Sequence, residues 1–248
     1  MTIKNYIPNA LTLANIFCGC IGTLFAMNNH LDWAAGIVAI GVLFDFLDGF
    51  FARILNAQSE IGLQLDSLAD VITSGLVPGV FMYQLLDRAA GIPWGTALNS
   101  IHFNIAYLGF AITLASAYRL AKFNVDDGQS TSFKGLPTPA NAIFIISLPL
   151  VLLYGESNYF PGLIGAFQDA LANQYVLLGI TALSCWLLNS PIRLFALKFK
   201  SFNIKDNSLR YGFLILAALL LNFLGYLGIL LIIVSYILLS LIFSKSAN

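Results

Sequence analysis

The chain has 248 residues, of which 12 are Lys or Arg and 12 are Asp or Glu, and 58% are hydrophobic. Globular domains carry roughly a quarter charged residues, so 10% charged with a mean hydropathy of +0.83 excludes an ordinary soluble domain. A formal net charge of zero removes the electrostatic case for nucleic acid as a partner, because no basic face is available to displace phosphate counterions.

In a bilayer every backbone polar group must find its partner within the chain, so apolar runs of about 20 residues read as spanning helices. Eight such runs follow one another, at about 11–28, 33–55, 62–87, 101–121, 140–154, 174–190, 209–224 and 226–243. The first is preceded only by Lys4 and followed at once by further runs, which does not fit a cleavable signal. The expectation is an all-α integral membrane protein, a single membrane domain over 1–248 with no soluble module. Lys and Arg collect on the cytoplasmic side of membranes. Lys4, Arg53, Arg119, Lys122, Lys134, Arg193, Lys198, Lys200, Lys205, Arg210 and Lys245 fall on one side of the eight runs, and only Arg88 on the other. Both termini are therefore expected in the cytoplasm, with the loops at 28–32 and 156–169 and the turn at Gly225 facing outward. Cys18, Cys20 and Cys185 lie in apolar stretches without metal-ligand spacing and read as small hydrophobes. His30 and His102 fall near the outward face, away from the carboxylates, and Asp126 and Asp127 lie in a polar loop, so none of the four receives a role.

Ionisable groups inside a membrane are costly and point to function. Asp45 and Asp48 lie in the second run at i,i+3, and Asp66 and Asp70 in the third at i,i+4, so each pair shares a helix face. The two runs form a hairpin around 56–60, and at 1.5 Å rise per residue Asp48 and Asp70 both lie about 10 to 15 Å from that loop. Four carboxylates can thus converge at one depth. They would repel strongly unless neutralised, and oxygen ligands without His or Cys favour Mg²⁺ or Mn²⁺ over zinc. Two such ions balance four carboxylates and form a clamp suited to phosphates. Asp45 paired with Arg53 and the rest as interhelical glue, or a cation carrier using the same acids, are the competing readings. Gly49, Ala52 and Gly62 leave an opening beside the carboxylates that a flat group could enter.

With spacing, Asp45-x2-Asp48-Gly49-x2-Ala52-Arg53-x8-Gly62-x3-Asp66-x3-Asp70 resembles the CDP-alcohol phosphotransferase signature at all eight fixed positions. The resemblance implies a six-helix membrane core at about 1–190, followed by a loop and two further spans at about 191–248. It implies displacement of CMP from a CDP-activated lipid by an acceptor alcohol, with two divalent ions. By position, Asp45, Asp48, Asp66 and Asp70 would hold the metals, and Asp66 and Asp70 would be catalytic, Asp70 as the base. Gly49, Ala52 and Gly62 would line the cytidine slot, and Arg53 would hold the diphosphate or brace the carboxylates.

The first span opens Pro8-Asn9-x2-Thr12-x2-Asn15, and the fourth ends Arg119-x2-Lys122-x-Asn124 before Phe133-Lys134-Gly135-Leu136-Pro137-Thr138-Pro139-Ala140. Thr12 and Asn15 share a face at the depth of the acids and could bind the donor's phosphates or sugar. An amino-acid acceptor needs a cation for its carboxylate, and Arg offers a two-pronged match, although basic residues there also serve as headgroup anchors. These stretches are similar to the phosphatidylserine synthase branch. That likeness implies CDP-diacylglycerol as donor and L-serine as acceptor, with Arg119, Lys122, Asn124 and Lys134 at the acceptor side. Glycerol 3-phosphate and inositol phosphate are the alternative acceptors. The remaining implications are membrane lipids as surroundings, a homodimer by resemblance alone, and an inner-membrane location in a prokaryote with the site near the cytoplasmic face.

Overall fold

A computed structural model describes residues 3–91, 104–125, 135–157, 159–192, 194 and 207–243, with the side chains of the first few residues left aside. His102, Asp126, Asp127, Lys134, Arg193, Lys198, Lys200, Lys205 and Lys245 lie outside the described residues. All regular structure among the described residues is helical. The elements are α1 (Ile3–Met27), α2 (Leu31–Ile54), α3 (Glu60–Asp70), α4 (Val77–Ala89), α5 (Ala111–Val125), α6 (Thr138–Tyr154), α7 (Pro161–Leu171), α8 (Gln174–Asn189), α9 (Ser208–Leu224) and α10 (Tyr226–Phe243). A π-helical turn, Val71–Leu76, joins α3 to α4 without a break, and a 3₁₀ turn, Ile105–Phe110, leads into α5.

Among the described residues, four helices are long and apolar enough to cross a membrane: Tyr6–Met27, Leu31–Ile54, Glu60–Ala89 and Tyr226–Phe243. The chain is an integral membrane protein. Hydrophobic side chains such as Phe17, Leu24, Phe46, Trp186 and Ile215 remain more than half exposed, an arrangement that only a lipid surround makes inexpensive. The core runs along α4, whose residues from Val77 to Asp87 are all buried, against α1, α6 and the 3₁₀ turn.

Segment 156–169, expected to face outward because it holds no Lys or Arg, is more than a plain loop. It contains α7, which starts with Pro161 in its first turn and meets α8 at 85°. Ile164 and Leu171 are buried, and Asn173 caps α8 by accepting from Tyr175 N at 2.9 Å. Eleven residues suffice for a helix that lies across the bundle but not for a span.

The hairpin between α2 and α3 is built by local chemistry. Asn56 adopts φ of 50°, and Ala57 N donates back to Ala52 O at 2.9 Å, which closes α2 in a left-handed cap. Ser59 then caps α3, its hydroxyl accepting from Gly62 N at 3.0 Å. That cap sets the register that puts Gly62, Asp66 and Asp70 on successive turns of one face.

Candidate active site

A cavity of about 930 Å³ opens at the α2–α3 hairpin and is walled by α1, α2, α3, α5 and the start of α6. Thr12, Asp45, Asp48, Gly49, Ala52, Arg53, Gly62, Asp66, Asp70, Arg119 and Asn124 all line it. Oxygens of Asp45, Asp48 and Asp66 lie within 4.8 Å of one another, and Asp70 sits one turn beyond Asp66. Asp48 and Asp70 are buried, and Asp45 Oδ1 and Asp70 Oδ1 are buried with no hydrogen-bond partner.

Burying unpartnered carboxylate oxygens beside one another is strongly unfavourable unless a cation completes the site. The donor set is oxygen only, so the residues fit a hard divalent ion. Thr12 on α1 donates its hydroxyl to Asp48, which orients that carboxylate toward the cluster. The π-helical turn begins immediately after Asp70 and adds a residue to the local turn, so the helix face rotates there. Side chains tie the turn to its neighbours in both directions: Thr113 Oγ1 of α5 donates to Gly75 O of the turn at 3.0 Å, and Thr73 Oγ1 of the turn donates to Asn15 O of α1 at 3.0 Å.

Opposite the acids, Arg119 points from α5 into the cavity, attracted by Asp70, and its Nη1 donates to Thr138 Oγ1 at 3.1 Å. Asn124 also faces the cavity, with its amide spanning to α3 through Ser67 Oγ at 3.0 Å and Gln64 Oε1 at 3.4 Å. Two expected residues are not on the cavity wall. Asn15 is buried deeper in α1, and a Cβ on Gly41 would come within 3.0 Å of its Oδ1. Lys122 is exposed on α5, off the strip of Arg119, Leu120, Phe123 and Asn124 that lines the cavity. Sequence reasoning gave no role to Ser59, Ser67 or Thr138, which also line the cavity. The Pro137-Thr138-Pro139 string, a helix-opening pattern, was the available signal for Thr138.

The sequence profile of the CDP-alcohol phosphatidyltransferase family matches residues 5–186, which contain every cavity-lining residue named above. The chain belongs to this family. It is 30% identical over 156 residues to the CDP-diacylglycerol–serine O-phosphatidyltransferase of Bacillus subtilis (strain 168), covering 61% of this chain and 82% of the relative. It is 30% identical over 183 residues to the protein of the same name from Helicobacter pylori (strain ATCC 700392 / 26695), covering 71% and 69%. An archaetidylserine synthase from Methanothermobacter thermautotrophicus is 33% identical over 153 residues, 60% of each chain. As a CDP-alcohol phosphatidyltransferase, the protein places its acidic cluster and Arg119 on opposite walls of one cavity.

Proposed function

We propose that the protein transfers a phosphatidyl group from CDP-diacylglycerol to L-serine, giving phosphatidylserine and CMP. The observation that carries this reading is the cavity in which Asp45, Asp48, Asp66 and Asp70 face Arg119, in a chain whose relatives are serine phosphatidyltransferases.

Asp45, Asp48, Asp66 and Asp70 would hold two Mg²⁺ or Mn²⁺ ions, which would neutralise the carboxylates and offset the charge of the donor's diphosphate. Gly49, Ala52 and Gly62 leave room for the cytidine, and Thr12 and Arg53 contact the donor's phosphates. Asp70 takes the proton from the serine hydroxyl. The freed oxygen attacks the lipid-linked phosphorus, the bond to CMP breaks, and CMP leaves with the electron pair. Arg119 binds the serine carboxylate, which positions the hydroxyl for attack. No covalent enzyme intermediate is needed: among the described residues the cavity is lined by no His or Cys, and Ser59 and Ser67 have no neighbouring base of that kind to activate them.

The topology we propose is a single membrane domain of eight spans, with a six-helix core to about residue 190 and both termini in the cytoplasm of a prokaryotic inner membrane. The distribution of basic residues supports it. It puts the cavity near the cytoplasmic face, where CTP-derived donors arise.

The test is CMP release by purified protein given CDP-diacylglycerol and Mg²⁺ or Mn²⁺, with L-serine, glycerol 3-phosphate or inositol phosphate supplied separately. Release with serine alone is expected. Release with a phosphate-bearing acceptor instead would overturn the acceptor assignment and keep the chemistry. Metal or proton flux across sealed vesicles without any CDP-lipid, and no CMP release, would replace the transferase with a carrier.

A further inference from the structure

Arg119 is only 9% exposed, yet its Nε has no hydrogen-bond partner. A guanidinium carries five N–H donors in a fixed fork, and a buried charge is costly unless an anion and full hydrogen bonding match it. Thr138 Oγ1 accepts from Nη1 at 3.1 Å, and Asp70 supplies attraction from across the cavity. The edge of the guanidinium that carries Nε is left for something else.

The surroundings of that edge also select an anion. Thr138 is fully buried and opens α6, a helix of 17 residues. The first hydrogen bond of α6 runs from Asn141 N to Pro137 O at 3.0 Å. The N–H groups of Thr138 and Ala140 precede it and have no acceptor inside the helix, while Pro139 carries none. Pro137, Thr138 and Pro139 line the same cavity as Arg119. A helix N-terminus and an incompletely satisfied guanidinium thus meet at one place, and each favours negative charge there. Asp70 stands nearby and disfavours a doubly charged ligand relative to a singly charged one. A planar carboxylate suits the guanidinium edge, since both present two parallel sites.

We propose that the first turn of α6 forms, together with Arg119, the carboxylate half of the acceptor subsite, with Thr138 as the positioning residue that fixes the guanidinium. This rests on L-serine being the acceptor. The Thr138 hydroxyl holds Nη1 and so turns the Nε edge toward the acceptor carboxylate, while the free amides of the helix start face the same group. Serine is then distinguished from an amino alcohol by contacts that lie away from the reacting hydroxyl.

The experiment compares Thr138→Val, Thr138→Ala and Thr138→Ser in the purified full-length protein, measuring kcat and KM for L-serine, CDP-diacylglycerol and ethanolamine. Ethanolamine keeps the hydroxyl and amine of serine but lacks the carboxylate. Thr138→Val is expected to raise the KM for serine about tenfold, the size of one hydrogen bond to a charged group, while the KM for the lipid donor stays within about twofold. The preference in kcat/KM for serine over ethanolamine should fall by the same factor, and Thr138→Ser should restore both. A general structural defect would not move that preference. Equal changes for serine and ethanolamine, or none, would overturn the proposal, as would recovery of folded Thr138→Ser but neither of the variants without the hydroxyl. Wild-type turnover that does not depend on serine would instead refute the acceptor assignment beneath it.

Discussion

The Thr12 hydroxyl on α1 donates to the Asp48 carboxylate on α2, and the same oxygen lies 3.1 Å from Pro8 O. Both residues are buried, at 3% and 5% exposure. The first helix is thereby tied to the acidic face of the second.

Thr12→Val keeps the shape and removes the donor. A hydrogen bond to a charged group is worth about 1.5 to 3 kcal/mol, and loss of an outer partner of a metal ligand typically costs about 10- to 100-fold in affinity or activity. The apparent metal requirement in the CMP-release assay should therefore rise at least about tenfold, with Thr12→Ser close to wild type. An unchanged metal titration for Thr12→Val would detach Thr12 from the metal site.

The Asp45, Asp48 and Asp66 oxygens lie within 4.8 Å of one another, so repulsion destabilises the metal-free fold and a bound cation relieves it. A ligand at 100 times its dissociation constant stabilises the native state by about 2.7 kcal/mol. Mg²⁺ or Mn²⁺ should accordingly raise the melting temperature of the wild type by several degrees, and a chelator should reverse this. Asp66→Asn should melt no lower than the wild type without metal, lose the metal-dependent shift, and lose turnover. A full shift in Asp66→Asn would remove Asp66 from the site.

Asp70 contributes an unpartnered buried oxygen, and the π-helical turn starts at the next residue. A positioned general base supplies about 10² to 10⁴ in rate. Asp70→Asn, which keeps size and helix but cannot accept the serine proton, should lower kcat by that factor or more while CDP-lipid binding persists. Residual kcat within tenfold of wild type would assign the proton to another acceptor.

How much of this could be read before folding depended on which interactions are local. The eight-position signature and the helical spacing of Asp45, Asp48, Asp66 and Asp70 are sequence-near features, and the cavity brings all four together. Helix caps are local too, and Ser59 with Gly62 at three residues' separation could have been recognised as a start signal. Direction around a helix near its end is harder. Lys122 and Arg119 are three residues apart, but only Arg119 of the two reaches the cavity, because the strip of α5 that lines it runs through Arg119, Leu120, Phe123 and Asn124 and leaves Lys122 to one side. Asn15 follows Thr12 by one turn, yet close packing of Gly41 and Thr73 encloses it. The bend between α7 and α8 was hidden because its eleven-residue arm is too short to register as a span. The π-helical turn leaves no mark in hydropathy, since Val71–Leu76 stays within one continuous apolar run.

Two glycines separate the demands of folding from those of catalysis. A Cβ on Gly109 would lie 2.6 Å from Tyr83 N and 3.0 Å from Met82 C, both backbone atoms of the buried α4 that cannot yield without moving the helix. Gly109→Ala should therefore destabilise by about 1 to 3 kcal/mol, as overpacking does, far from the acidic cluster. A Cβ on Gly49 meets nothing within 4 Å, because this residue faces the cavity from the interior of α2. Alanine in a helix interior is favoured over glycine by about 0.5 to 1 kcal/mol, so Gly49→Ala should melt slightly above the wild type. Its methyl group nevertheless enters the space assigned to cytidine, and the KM for CDP-diacylglycerol should rise while that for serine holds. Stability and donor binding thus move in opposite directions at Gly49, and both would be read from one thermal melt and one substrate titration. A Gly49→Ala protein with unchanged donor KM, or a Gly49→Leu protein still active at wild-type donor concentrations, would place the cytidine elsewhere in the cavity.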